Sequence, residues 1–189
     1  MKWRFWQKAY LLTLALFLLC INGGVLSLTV YTHDKNVQSA EEAAKAGIDA
    51  LIVADLGGAA ALHRTYPELE LHASTQMSAH NAEAGRLLQS LGFSRMVVAR
   101  ETSQKDLERL VRSSPIEVEY FIHGALCVSH SGQCLFSSLV GGRSGNRGEC
   151  AQPCRLPYTT SRGESYPLSL KDLSLARHMC DLIDSGVAS

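Results

Sequence analysis

A chain of 189 residues with 46% hydrophobic and 19% charged content has the make-up of one ordinary folded domain, which excludes a disordered polymer. Lys+Arg and Asp+Glu both number 18, so the formal net charge is zero. That balance excludes a chain-wide basic field of the kind that gathers nucleic acid, and DNA is not an expected partner.

Residues 1–30 stand apart from the rest. Lys2, Arg4 and Lys8 precede an apolar run from Ala9 to Ile21, which Asn22, Gly23 and Gly24 break. A basic start and a short apolar stretch resemble an export signal, though an A-x-A cleavage site is missing. The run is short of the roughly 20 residues that a membrane span needs. Export would carry the thiols downstream into an oxidising compartment and favour disulfides. The segment is therefore read as an atypical start (signal-like, an anchor, or a gene-start artefact), and residues 31–189 as the domain. The expected location is cytoplasmic, or membrane-anchored or exported if residues 1–24 act as a signal. Cys20 is expected to be a buried thiol.

The domain then alternates strand and helix. Leu28 to Tyr31 has strand composition. Val37 to Ala46 reads as a helix with Ser39 as N-cap, stopped by Gly47. Ile48 to Ala54 is a nearly continuous apolar run, as in a strand buried on both faces. Asp55, Gly57 and Gly58 make a loop before a short helix, Ala59 to Thr65. Glu70 to Ala73 is a strand that ends at Ser74, Thr75 and Gln76. Asn81 to Leu91 is a helix closed by Gly92. Met96 to Ala99 is a strand followed by Arg100 and Glu101. Ser103 to Ser113 is a helix with Ser103 and Asp106 close to a capping box. Val118 to Ile122 is a fourth strand. Pro167 to Leu170 is expected to be a fifth, and Leu173 to Ile183 a helix that packs Cys180. This βα alternation predicts an α/β fold with a parallel sheet.

The stretch from Glu119 to Tyr158 breaks the pattern. It holds Cys127, Cys134, Cys150 and Cys154, spaced C-x6-C, fifteen residues, then C-x3-C. It is rich in glycine and has no long apolar run, so burial alone cannot organise it. Two close pairs of thiols suit a four-thiolate site for zinc or an iron–sulfur cluster. The C-x2-C knuckles of zinc ribbons are absent, and the wider gaps fit a bulkier cluster better. Two disulfides, or free thiols, are the alternatives.

At these residues the chain resembles peptidase family U32, the collagenase-like protease family. The family pattern E-x-F-x2-G-[SA]-[LIVM]-C-x4-G-x-C-x-[LIVM]-S is met by Glu119, Phe121, Gly124, Ala125, Leu126, Cys127, Gly132, Cys134 and Ser137. Phe136 departs from it, one apolar residue for another. The runs from Gly141 to Tyr158, Ser169 to Leu173, His72 to Asn81 and Asp49 to Gly57 also look like the family. The resemblance covers about residues 45 to 189.

The resemblance implies a (β/α) barrel, with sites at the C-terminal ends of the strands. Asp55, Ser74 to Gln76, Arg100, Glu101, His123, Cys127, Lys171 and Asp172 fall at such ends. A full barrel takes about 250 residues, so an incomplete TIM-like barrel is expected. Its open sheet edges would call for a partner chain to cover them. The resemblance also implies a 4Fe-4S cluster held by Cys127, Cys134, Cys150 and Cys154, since relatives acting in hydroxylation of RNA bases or of the ubiquinone ring carry cysteines at this spacing. Zinc, or no metal, is the alternative cofactor reading.

The other candidates are less specific. Glu101, His123 and Glu119 are the candidate catalytic residues, and His72 and His130 could also bind metal or move protons. Arg143, Asn146, Arg147, His72, Gln76 and Lys171 are the candidate substrate-binding residues, arginine offering two-pronged contacts to carboxylate or phosphate. A Ser-His-Asp order and an H-E-x-x-H motif are missing. The expected function is iron–sulfur-dependent hydroxylation of an RNA base or related ring. A collagenase-like peptidase acting on peptides, or an inactive fragment, is the alternative.

Overall fold

The computed structural model describes residues 25–27 and 40–189. Expectations for residues 1–24, Cys20 and Leu28 to Tyr31 lie outside the described residues. Five strands form one parallel sheet in chain order: β1 (Val25–Ser27), β2 (Ala50–Val53), β3 (Glu70–Ala73), β4 (Phe93–Val97) and β5 (Glu117–Glu119). The expected α/β class and parallel sheet are present. The described strands make an open sheet.

Register and pleat explain the packing. Val53, Ala73, Met96 and Val118 pair across four strands in one row, and all are buried. They belong to one apolar cluster with Leu62, Leu88, Leu107 and Leu110 of the helices. Successive strand residues face opposite sides, so the neighbouring row is different: Ile52, His72, Arg95 and Glu117. There Arg95 donates to Glu117 Oε2 from Nε at 2.9 Å and Nη2 at 2.6 Å, and its Nη1 lies 3.5 Å from Glu119.

Between the strands run α1 (residues 40–45), α2 (Leu56–Thr65), α3 (Ala82–Ser90) and α4 (Gln104–Ser113). The starts of α2, α3 and α4 are capped, and the expected Ser39 cap of α1 lies outside the described residues. Asp55 accepts the Gly58 N–H at 2.6 Å and Asn81 the Ala84 N–H at 2.8 Å. Ser103 accepts the Asp106 N–H at 3.3 Å and donates to Asp106 Oδ2 at 2.6 Å. Each such cap is worth about 1 kcal/mol. The caps follow the strand ends, so three helix starts sit at the C-terminal edge of the sheet.

The chain then leaves the βα pattern. It forms β6 (His123–Gly124), α5 (Phe136–Gly141), three 3-10 turns (Gly145–Arg147, Pro153–Arg155 and Ala176–His178), β7 (Tyr158–Thr160), β8 (Gly163–Ser165), β9 (Leu173–Ser174) and α6 (Met179–Asp184). Three expectations are corrected here. Pro167 to Leu170 is not a strand, because Ser169 N–H closes a turn on the Tyr166 carbonyl at 3.1 Å. The last helix starts later than Leu173, because Leu173 and Ser174 pair antiparallel with Gly124 and His123. Cys180 is exposed instead of packed. The β7–β8 hairpin was not foreseen. Beyond α6, Ala188 N–H bonds the Val118 carbonyl and Tyr120 N–H the Ser189 carbonyl, both at 2.9 Å, so the last residues run beside β5.

Candidate functional site

Cys127, Cys134, Cys150 and Cys154 line one cavity of about 180 Å³. Gln76, Arg100, His130, Asn146 and Arg155 share its wall. All four cysteines are free thiols; Cys150 is exposed and the other three are half-buried. Among the described residues, no three His, Cys, Asp or Glu groups stand close enough together to hold a metal ion.

Two buried serines fix the cysteine loops. Ser131, fully buried, lies between Cys127 and Cys134. Its N–H and hydroxyl both donate to the Glu101 carboxylate at 2.9 Å, and its Oγ accepts the Arg100 N–H at 3.2 Å. The Ser78 hydroxyl donates to its carbonyl. The first loop is thereby tied to the turns after β3 and β4. Gly132 makes the close approach possible. Its φ is +74°, and a Cβ there would stand 2.0 Å from the Gln76 carbonyl oxygen. Ser137, also buried, accepts the Ala151 N–H at 2.9 Å and so joins α5 to the Cys150 segment. Neither serine stands out in the sequence; their own burial distinguishes them.

Arg155 clamps the remaining pieces. It donates to the carbonyls of Leu126 and Leu170 at 3.2 and 2.6 Å, to Ser169 Oγ at 3.2 Å and to Asp172 at 2.9 Å. One guanidinium therefore links the residues next to Cys127 and Cys154 with the Ser169 to Leu173 run. The Gln152 N–H donates to Cys150 Sγ at 3.3 Å.

The electrostatics follow from these contacts. Burial pushes the Glu101 carboxyl up, but the Ser131 N–H and hydroxyl, its own backbone N–H and His130 together outweigh it and hold the group at about 2. Burial pushes the Cys154 thiol up; Cys127 and Cys150 push it further, and Arg155 partly offsets them. The Glu101 value carries a prediction. Because the folded carboxyl titrates below its unfolded counterpart, it stabilises the fold above about pH 4.5 and loses that contribution as pH falls towards 2. Urea titrations across that window should show a steeper loss in the native protein than in Glu101→Gln. Equal slopes would mean that the contact does not anchor the loop.

The other expected site residues are dispersed. Gln76 and Asn146 line the cysteine cavity. Arg143 and Lys171 are exposed and line neither described cavity, and the Arg147 side chain lies outside the described atoms. His72 is buried within β3, 3.3 Å from Glu70. His123 is exposed on β6, and Glu119 pairs with Arg95. Of the catalytic candidates, Glu101 touches the cysteine loop, through Ser131, but does not line the cysteine cavity. With His130 it borders a larger groove of about 970 Å³ between α3 and α4.

Glu101, His130 and Ser131 do not form a nucleophilic triad. The Ser131 hydroxyl donates to the carboxylate and is fully buried, while His130 Nδ1 meets the same carboxylate at 3.0 Å. The serine is bonded to the carboxylate and not to the imidazole, and it has no access to substrate, so its role is to anchor the loop.

The fold and site define an α/β protein whose parallel sheet carries four thiols around one cavity beyond its strand ends. The chain belongs to peptidase family U32, whose model matches residues 24–189. It is 39% identical over 175 residues to 23S rRNA 5-hydroxycytidine C2501 synthase of Escherichia coli, covering 87% of this chain and 26% of the relative. It is 34% identical over 181 residues to tRNA hydroxylation protein P1 of Bacillus subtilis, covering 87% of this chain and 43% of the relative. It is 35% identical over 196 residues to a collagenase of Porphyromonas gingivalis, covering 89% of this chain and 47% of the relative. The chain thus spans between about a quarter and half the length of these relatives. Among the described residues, no helix is long and apolar enough to cross a membrane.

Proposed function

We propose that this chain takes part in hydroxylation of an RNA base, with a 4Fe-4S cluster held by Cys127, Cys134, Cys150 and Cys154. The observation that carries the reading is the single cavity bounded by all four thiols. The donor set fits: thiolates are the ligands such clusters take, and a cavity wider than one ion suits a cluster better than zinc. When bound, the group would supply one-electron chemistry. The rest of the work falls to the chain. Ser131, Ser137 and Arg155 hold the loops in place. The Gln152 N–H donates to Cys150 Sγ and helps to orient it. Gln76 and Asn146 offer amide contacts at the wall.

Similarity to the rRNA and tRNA proteins supports RNA as the substrate class, although the net charge of zero leaves no broad basic surface. A reducing, cytoplasmic setting belongs to the same reading, because free thiols must stay available for the cluster. The peptidase reading draws on the collagenase relative, but a buried, carboxylate-bound Ser131 gives it no nucleophile.

The test is nucleoside mass spectrometry on RNA from cells lacking the full-length protein. Loss of one hydroxylated nucleoside is expected, restored by the native gene but not by Cys127→Ser. An unchanged nucleoside profile, with cleavage of gelatin by the purified protein, would overturn the reading.

A further inference from the structure

We propose that Arg100 is the counter-charge of the group held by the four cysteines and raises its reduction potential. The inference rests on the cluster reading above. Arg100 follows β4, and its N–H is fixed to Ser131 Oγ at 3.2 Å, within the loop that carries Cys127 and Cys134. Arg100 is among the residues that line the four-cysteine cavity. Its Nε is buried without a hydrogen-bond partner among the described residues.

A buried charged donor left unpaired is costly, so an acceptor is expected within its reach. The other cationic groups of the wall are engaged. Arg155 is held by Leu126, Ser169, Leu170 and Asp172, and His130 meets Glu101. The cavity walls offer sulfur as the matching acceptor. Four thiolates outweigh the positive charge of an iron–sulfur core, so the held group is anionic and becomes more so when it takes up an electron. A nearby cation and N–H···S contacts favour that reduced form and raise the potential. Arg100 thus acts on the group through charge and needs no contact with substrate.

The experiment is a dithionite titration of the full-length protein, purified without oxygen, followed by the cluster's spectrum. Arg100→Gln should retain iron and shift the one-electron equilibrium about tenfold towards the oxidised form, a fall of about 59 mV. Arg100→Lys, which keeps the charge, should stay near the native potential. Loss of iron in Arg100→Gln with retention in Arg100→Lys would also support the role. A native potential in Arg100→Gln would overturn it, as would loss of iron from both variants. Absence of iron from the native protein would instead sink the cluster reading itself.

Discussion

Cys150→Ala is expected to abolish iron loading and to open residues 124–158 to proteolysis. The physical reason is what this segment lacks. Leu135, Leu139, Val140 and Leu156 are all exposed, Leu139 at 83%, so the segment holds little core of its own. Its internal fastening is a small set of hydrogen bonds, each worth about 1 kcal/mol net. Ligation of a structural metal is worth on the order of 10 kcal/mol and doubles as folding energy. On the proposed cluster reading the held group is therefore the dominant fastening, and removal of one thiolate undoes it. Cys150 is the informative choice because it is exposed and its removal leaves no buried cavity. Metal analysis and limited proteolysis with mass mapping would read the result. Native iron content and native protease resistance in the variant would remove Cys150 from the site.

Gly132→Ala is expected to undock the loop that carries Cys127 and Cys134. A residue with a Cβ at φ +74° carries strain of roughly 1–3 kcal/mol. The larger effect is steric, because the new carbon would stand 2.0 Å from the Gln76 carbonyl oxygen, which is backbone and cannot rotate away. The loop must move, and with it the bonds from Ser131 to Glu101 and Arg100. The variant should melt at a lower temperature and show faster amide exchange in residues 127–134, while the exchange of β2 and β3 stays native. Unchanged exchange in that loop would mean that the close packing of Gly132 on Gln76 is not what holds it.

The βα part of the chain was legible because local signals agreed with the tertiary structure. Glu70 to Ala73 is a strand within the bounds read from sequence, and Ser103 caps its helix through Asp106. The nearly continuous apolar run from Ile48 to Ala54 marked a buried strand, and Ala50–Val53 is that strand. Boundaries moved where pairing decided them: β4 starts at Phe93 because Phe93 pairs with Leu71 across the sheet. After Ile122 such signals fade. Leu173 looks helical by composition, yet it is drawn into a strand by Gly124, some fifty residues earlier. No local pattern encodes that pairing.

The site divides in the same way. The cysteine spacing was visible, because chemistry restricts which residues can be thiolates. The residues that hold the loops were not. Ser131 and Ser137 look like any loop serine until their burial is known. Arg155 reads as a solvated charge until its four acceptors are seen together. His72, His123 and Lys171 were nominated for lying near strand ends, but position along a strand does not fix which way a side chain is used.

The most direct test of the central claim is iron and acid-labile sulfide content, with a visible spectrum, on protein purified without oxygen. The account predicts about four irons per chain, the stoichiometry of a cubane site. Protein free of iron, with Cys127, Cys134, Cys150 and Cys154 paired as disulfides, would contradict it.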